Sequence, residues 1–238
     1  FKEQHTGVRI QCDNGNVPLN EDNLIFKAWD KMSKIVGTKA GISVRINKNI
    51  PVAAGLAGGS GNGSATLLAL NHIWGLKLEL RELMEIGRTI GADIPFCLLG
   101  GTALAEGIGE KLTPIEPFNN KSILLINPGI EISSGYVYSL LRLKEERLPI
   151  DDLINHIKAD DIIKVGATLG NVMEDAILPK YPVIDEIKSR MVELGSLGSL
   201  MSGSGSSVFG IFEDPDRCEF AKNKLIGDYP YVFNVMTI

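Results

Sequence analysis

The sequence predicts an α+β protein with two domains, and three observations support this class. The chain has 238 residues, more than one average domain requires. Hydrophobic residues make up 44% of it and charged residues 22%, a globular composition that excludes intrinsic disorder. Strand and helix patterns follow each other without the strict alternation of a doubly wound sheet. We therefore expect one domain over residues 1–120 and a second over residues 121–238, divided at a segment rich in proline and asparagine.

In the first half, strand and helix patterns surround a long glycine-rich segment. Alternation of apolar and polar residues, or a short apolar run, predicts strands over 8–12, 42–46 and 102–105. Apolar residues at helical spacing predict helices over 23–36, from about Ser64 onward, and over 80–90. The glycine-rich segment is thus expected to connect a strand to a helix.

The second half has the same mixture of patterns. Strands are predicted over 122–127, 207–212 and 231–237. Helices are predicted near 134–143, 153–167, 183–194 and 215–226. A second glycine turn, at 202–206, precedes one of the strands.

Charge and cysteine content argue against several classes of function. The net charge is −5 and no run of Lys or Arg occurs, so we expect neither a nucleic-acid partner nor a basic membrane-surface helix. Glycines interrupt the longest uncharged stretch, which excludes a transmembrane helix there. The three cysteines are far apart and lack CxxC spacing, and the three histidines are scattered (Cys12, Cys97 and Cys218; His5, His72 and His156). We expect a reduced cytoplasmic protein without a disulfide framework or a metal site of its own.

The segment Pro51–Thr66 is the strongest candidate for a binding site. A helix N-terminus carries unpaired N–H groups and partial positive charge, and glycines let the backbone approach a phosphate closely. Gly59, near its centre, is expected to have a positive φ. No lysine follows the glycines, which excludes a P-loop, and Thr66 occupies the last position of a possible GxGxxG pattern. A turn without a ligand is the alternative.

Three shorter segments contain further candidates. Asp93, in Gly-Ala-Asp-Ile-Pro-Phe, can be a general base or can cap the helix that follows. The segment Met201–Phe209 contains a glycine turn that can bind a ligand or simply connect two strands. Glu106–Glu110 is expected to be an acidic turn.

Taken together, these segments resemble the GHMP kinases, a superfamily of small-molecule kinases. The resemblance lies in EDNLI at 21–25, IPVAAGLAGGS at 50–60, LN at 70–71, IG at 86–87, GADIPF at 91–96, EGIGE at 106–110 and MSGSG at 201–205. It runs from Asn23 to Phe212. It is strongest with the kinases that phosphorylate the cytidine diphosphate derivative of methylerythritol in the non-mevalonate isoprenoid pathway.

The resemblance implies a fold, a reaction and a set of site residues. The fold is a ribosomal-protein-like N-terminal half followed by a ferredoxin-like C-terminal half. The cofactor is ATP with Mg²⁺ as the nucleotide complex, and the partner is the small-molecule substrate. The implied ATP-binding residues are Asn23, Lys48, Pro51, Val52, Ala53, Ala54, Gly55, Leu56, Ala57, Gly58, Gly59, Ser60 and Gly61. The implied base is Asp93, and the implied substrate-binding residues are Asp93, Ser202, Gly203, Ser204 and Gly205.

Two departures from the family pattern leave alternatives open. Gly61 and Gly63 replace residues that favour helix, which predicts a looser loop. The family's first strand, with its catalytic lysine, does not occur in these 238 residues. We therefore expect the natural protein to have further residues before Phe1 and a chain starting there to be inactive, with Lys48 as the first candidate to replace the lysine. A non-catalytic nucleotide-binding relative, or another GHMP kinase such as homoserine kinase, is the alternative.

Overall fold

The computed structural model describes residues 1–38, 40–142 and 148–238. These residues form two compact units. The first contains residues 1–52 and 57–114, and the second contains residues 53–56 and 115–238. The division into domains at residue 120 stays a prediction.

The first unit combines a three-stranded sheet, a hairpin and four helices in the described residues. Its elements are β1 (Lys2–Gln4), β2 (Val8–Cys12), α1 (Leu24–Val36), β3 (Gly41–Ile46), α2 (Gly58–Ile73), α3 (Leu80–Arg88), α4 (Ile94–Leu99), β4 (Ala103–Glu106) and β5 (Lys111–Pro114). Strand β3 is central, antiparallel to β1 and parallel to β2. Strands β4 and β5 form an antiparallel hairpin around the predicted acidic turn.

Helix α1 shows how the sequence specifies this unit. Asn23 caps it, since the Asn23 Oδ1 accepts a hydrogen bond from the Ile25 N–H at 2.9 Å. Gly37 ends it in the left-handed conformation at φ 67°. The buried face of α1 packs in one core with β3 and α2; its members include Ile25, Ala28, Met32, Ile42, Leu67 and Leu70. This core fixes the start of α1 against α2.

The second unit contains a four-stranded antiparallel sheet with helices. Its elements are β6 (Ser122–Asn127), α5 (Ser134–Leu140), α6 (Ile150–Lys158), α7 (Ile162–Thr168), α8 (Glu174–Ile177), α9 (Pro182–Glu193), β7 (Gly198–Met201), β8 (Val208–Phe212), α10 (Pro215–Leu225) and β9 (Tyr231–Met236). The sheet order is β7-β8-β6-β9. This is the strand order of a ferredoxin-like sheet, in agreement with the expected C-terminal half. The main core lies between the sheet and helices α9 and α10.

The structure corrects several predicted boundaries. Helix α2 begins at Gly58 and not near Ser64. The single helix predicted over 153–167 is two helices, because Asp160 has a φ of 52° and Asp161 caps α7. The helix predicted over 134–143 ends at Leu140, and Leu143 lies outside the described residues. Strands β1, β5 and β7 and helices α4 and α8 were not predicted because they are too short to show a period.

Candidate active site

The glycine-rich segment forms a helix N-terminus. Ala57, the residue before α2, has the left-handed conformation (φ 48°, ψ 23°), and no side chain caps the helix. The N–H groups of Gly58, Gly59 and Ser60 precede the first intrahelical bond, which Gly61 N–H donates to the Ala57 carbonyl. A left-handed residue beside a right-handed one directs successive N–H groups toward a common point, an arrangement that binds anions.

Glycines at the start of α2 provide space and not an unusual φ. Gly59 is helical, so the expectation that it needs a positive φ is wrong. A Cβ at Gly63 would lie 2.9 Å from the Ile94 Cδ1 and 3.3 Å from the Leu24 Cβ. The helix therefore begins early, despite the low helix propensity of glycine, because α1 and α4 pack closely against its glycines.

Lys48 lies beside the same helix N-terminus. It follows β3, and its backbone N–H donates to the Asp13 Oδ1 at 2.8 Å. A Cβ at Gly58 would lie 2.8 Å from the Lys48 Nζ. Burial lowers the pKa of the Lys48 ammonium, an effect that the nearby Cys12 partly offsets. No carboxylate pairs with this ammonium within the described part of the chain.

Asp93 lies immediately before α4 and is exposed. Its side chain accepts no capping hydrogen bond, so the capping interpretation is wrong. Cys97 follows one turn later. Burial raises the pKa of the Cys97 thiol, and the negative charge of Asp93 raises it further. The Asp93 carboxylate is therefore available for another role.

Two apolar residues bring these first-unit candidates together. Leu24 follows Asn23, and Ile94 follows Asp93. Both lie against Gly63 of α2, and Leu24 also lies 3.7 Å from the Cβ position of Gly59. Asn23 is 7% exposed, and its side chain both caps α1 and donates from Nδ2 to the Pro18 carbonyl at 2.6 Å.

The second unit contains the remaining candidates, Ala53–Leu56 and the turn Ser202–Ser207 between β7 and β8. The turn connects β7 to β8, as the interpretation of this segment as a simple strand connection predicted. It also bonds to Ala53–Leu56: the Ser202 Oγ donates to the Gly55 carbonyl at 2.9 Å, and the Ser207 N–H donates to the Ala54 carbonyl at 3.3 Å. Gly55 has a φ of 72°, and a Cβ there would collide with the Ser202 carbonyl oxygen.

Sequence reasoning missed the side chains that support this turn. The Asn127 Nδ2, in a residue only 2% exposed, donates to the hydroxyls of Ser206 and Ser207 at 3.1 and 3.0 Å. The Ser134 and Ser204 hydroxyls share a hydrogen bond of 3.0 Å. Asn171 and Glu174 also contact the turn. These residues are distant in sequence from it, and no spacing pattern marks them.

The described residues contain neither a cluster of metal-ligating side chains nor a membrane-spanning helix. Between residues 1 and 238, with the exception of 39 and 143–147, no group of three or more His, Cys, Asp or Glu side chains could hold a metal ion. Within the same ranges, every helix is too short or too polar to cross a membrane.

Comparisons with known proteins identify the family. Residues 23–101 match the model of the GHMP kinases N terminal domain, and residues 153–230 match that of the GHMP kinases C terminal domain. The chain is 48% identical, over 93% of its length and 77% of the relative's, to 4-diphosphocytidyl-2-C-methyl-D-erythritol kinase of Alkaliphilus oremlandii.

Solved structures agree with this assignment. A crystal structure of 4-(cytidine 5'-diphospho)-2C-methyl-D-erythritol kinase aligns over 99% of this chain and 84% of that one, with a TM-score of 0.81 and 28% identity. Homoserine kinase from Cytophaga hutchinsonii also gives a TM-score of 0.81, over 98% of this chain and 82% of that one, but at 20% identity it shows the fold alone. The chain therefore belongs to the GHMP kinases and, within them, to the 4-diphosphocytidyl-2-C-methyl-D-erythritol kinase family.

Proposed function

We propose that this protein transfers the γ-phosphoryl group of ATP to the 2-hydroxyl of 4-diphosphocytidyl-2-C-methyl-D-erythritol, a step of the non-mevalonate isoprenoid pathway. The relatives' name supports the substrate. One structural observation carries the nucleotide part of the proposal: the half-buried Lys48 ammonium, without a carboxylate partner in the described residues, lies beside the uncapped N-terminus of α2. Two positive groups this close favour an anion between or beside them.

The residues of this segment fit the phosphates of ATP. The free N–H groups at the start of α2 and the Lys48 ammonium are donors that phosphate oxygens accept from. Gly58 leaves room for the lysine side chain, which a Cβ would displace. Asn23, Lys48 and the whole segment Pro51–Gly61 are the proposed nucleotide site, with Asn23 on the adenine side. Mg²⁺ is part of the proposal as the nucleotide complex, in which it neutralises charge on the phosphates.

Asp93 is the proposed general base. As the substrate oxygen forms its bond to phosphorus and the bond from phosphorus to the β,γ-bridging oxygen breaks, Asp93 accepts the hydroxyl proton. Its exposure and the absence of a capping bond support this role. Ser202, Gly203, Ser204 and Gly205 are proposed to contact the substrate or the phosphates. Phosphoryl transfer depends mainly on position and charge, which backbone N–H groups and a lysine supply.

The proposal is tested by ADP release from the purified full-length protein. We expect ADP release with the cytidine diphosphate substrate and little with homoserine or mevalonate. The Asp93→Asn variant keeps the shape of the side chain but accepts no proton, so kcat should fall about 10²–10⁴-fold with ATP affinity retained. Asp152→Asn, an exposed carboxylate in α6, is the matched control and should stay near the parent rate.

Other results would contradict the proposal in distinct ways. Faster turnover of homoserine or mevalonate would assign another substrate. ATP binding without phosphorylation of any of the three alcohols would favour the non-catalytic relative. A kcat of Asp93→Asn within threefold of the parent would remove Asp93 as the base.

A further inference from the structure

Asn171 makes three hydrogen bonds at the start of the Ser202–Ser207 turn. Its Nδ2 donates to the carbonyls of Met201 and Gly203, at 2.9 and 2.8 Å. Its Oδ1 accepts from the Met173 N–H at 2.9 Å. Both amide hydrogens are therefore bound to the backbone of the turn and of the strand that leads into it, while the oxygen fixes the amide to its own loop.

Glu174, at the start of α8, binds the backbone of the same residue, Met201. Its Oε1 accepts from the Met201 N–H at 2.8 Å. Its Oε2 pairs with the Lys188 Nζ at 2.5 Å, and both side chains are largely buried (13% and 18% exposed). The carboxylate is thus fixed on one side by a lysine of α9 and used on the other to hold a backbone N–H.

The strand pairing explains why Met201 needs these partners. Strand β7 lies at the edge of its sheet and, among the residues that the structure describes, pairs with β8 alone. In an antiparallel ladder, alternate residues direct their N–H and C=O away from the partner strand. Ser202 N–H bonds inward to the Ser207 carbonyl at 2.8 Å, so the preceding residue, Met201, faces outward. Asn171 and Glu174 satisfy both of its backbone groups.

The other side of the same turn contacts the proposed phosphate loop. The Ser202 hydroxyl and the Ser207 N–H bond to the carbonyls of Gly55 and Ala54. The Ser202 carbonyl lies so close to Gly55 that a Cβ would not fit between them. A displacement of the turn would therefore displace Ala53–Leu56.

We propose that Asn171, together with Glu174, is a positioning residue for nucleotide binding: it holds the Ser202–Ser207 turn in the conformation that fixes Ala53–Leu56. Asn171 acts through the turn and does not itself contact the substrate or the nucleotide. This inference rests on the proposed function only in taking Ala53–Leu56 as part of an ATP site. It assigns a role to a segment, residues 171–174, for which the proposed mechanism has no use.

Asn171→Asp is the decisive variant. It keeps the acceptor for Met173 N–H and replaces the Nδ2 group by an oxygen that faces two carbonyl oxygens, so the turn should move away. We expect KM for ATP to rise about 10-fold or more, because Ala53–Leu56 would lose its preorganised conformation. We expect kcat to change less than about threefold, because the proposed base, Asp93, is unaffected. Calorimetric ATP affinity should fall by the same factor.

Two further variants control for charge and folding. Asn119→Asp makes the same charge change at an exposed position of the same unit, and its KM for ATP should stay at the parent value. Asn171→Ala removes the donors without adding a charge and should raise KM in the same direction by a smaller factor. If circular dichroism shows that the Asn171→Asp variant does not fold, the Asn171→Ala variant becomes the test of the proposal.

The outcomes separate this inference from the proposed function. If the parent phosphorylates the cytidine diphosphate substrate and both Asn171 variants keep the parent KM and affinity for ATP, the positioning role is overturned and the function stands. An equal loss of kcat with KM unchanged would also overturn it. If the parent binds ATP without phosphorylating the substrate, a loss of ATP affinity in the Asn171 variants still supports it. A parent that binds no ATP would overturn both.

Discussion

Two groups of glycines, one in each unit, use glycine for different physical reasons. At the start of α2, Gly58 and Gly63 have helical backbones and leave space for Lys48 and Ile94. In the second unit, Gly55, Gly203 and Gly205 have φ values of 72°, 53° and 81°, which side-chain-bearing residues adopt at a cost. Sequence alone does not separate the two cases. A helical glycine of this type tolerates a small side chain if a neighbour can move. A glycine with a positive φ does not, because the backbone conformation itself is unfavourable for a residue with a side chain.

The largest effect is expected at Gly55. In Gly55→Ala, the methyl group would collide with the backbone oxygen of Ser202, which cannot rotate away, and alanine would also have to adopt a positive φ. We expect a loss of at least about 2 kcal/mol in unfolding free energy, together with at least tenfold weaker ATP binding. Urea unfolding and calorimetry measure the two quantities. A variant with parent stability would show that the loop and the turn do not fit together as closely as described.

A smaller effect is expected at Gly63. The Cβ in Gly63→Ala would meet the end of the flexible Ile94 side chain and the less mobile Leu24 Cβ. Overpacking should outweigh the gain in helix propensity and leave a net loss of about 1 kcal/mol. The measurement is again the urea midpoint. A gain in stability would mean that α1 and α4 can move apart.

Gly61 provides the matched comparison, with the smallest effect and the opposite sign. It lies in the same turns of α2, and apart from its chain neighbours and the backbone of α2 itself, no described heavy atom lies within 4 Å of its Cβ position. Gly61→Ala should therefore stabilise the protein by about 0.5–1 kcal/mol through helix propensity alone. A thermal midpoint that falls would contradict this result. It would also mean that the space beside Gly61 is needed by the fold itself.

Local signals in the sequence were sufficient for most of the longer elements. The apolar spacing over 23–36 predicted α1 to within one residue, and the structure shows that Asn23 and Gly37 satisfy its two termini. Strand β6 matched its predicted range, since a short, buried apolar run has clear limits. The start of α2 was missed because glycine propensity opposes a helix there, and packing against Leu24 and Ile94 overrides it.

For the candidate site too, some features can be predicted from local sequence and others depend on the fold. Asp93 and the glycines lie in short motifs, and the family resemblance implied Lys48, so these candidates could be named from the sequence. The absence of a capping bond at Asp93 and the burial of Lys48 depend on the fold. The Asn171 contacts, 30 and 32 residues away in sequence, depend entirely on how the loop between α7 and α8 folds against the end of β7.

The hydrogen bonds from Asn171 and Glu174 to Met201 also affect whether β7 can pair with a strand of another molecule. An edge strand with free N–H and C=O groups can accept a strand from another chain, which leads to aggregation. At Met201, both backbone groups on the outer edge of β7 are already bonded to side chains of the same chain. A foreign strand would find no donor or acceptor there, so the contacts that hold the turn also close this end of the sheet to intermolecular pairing.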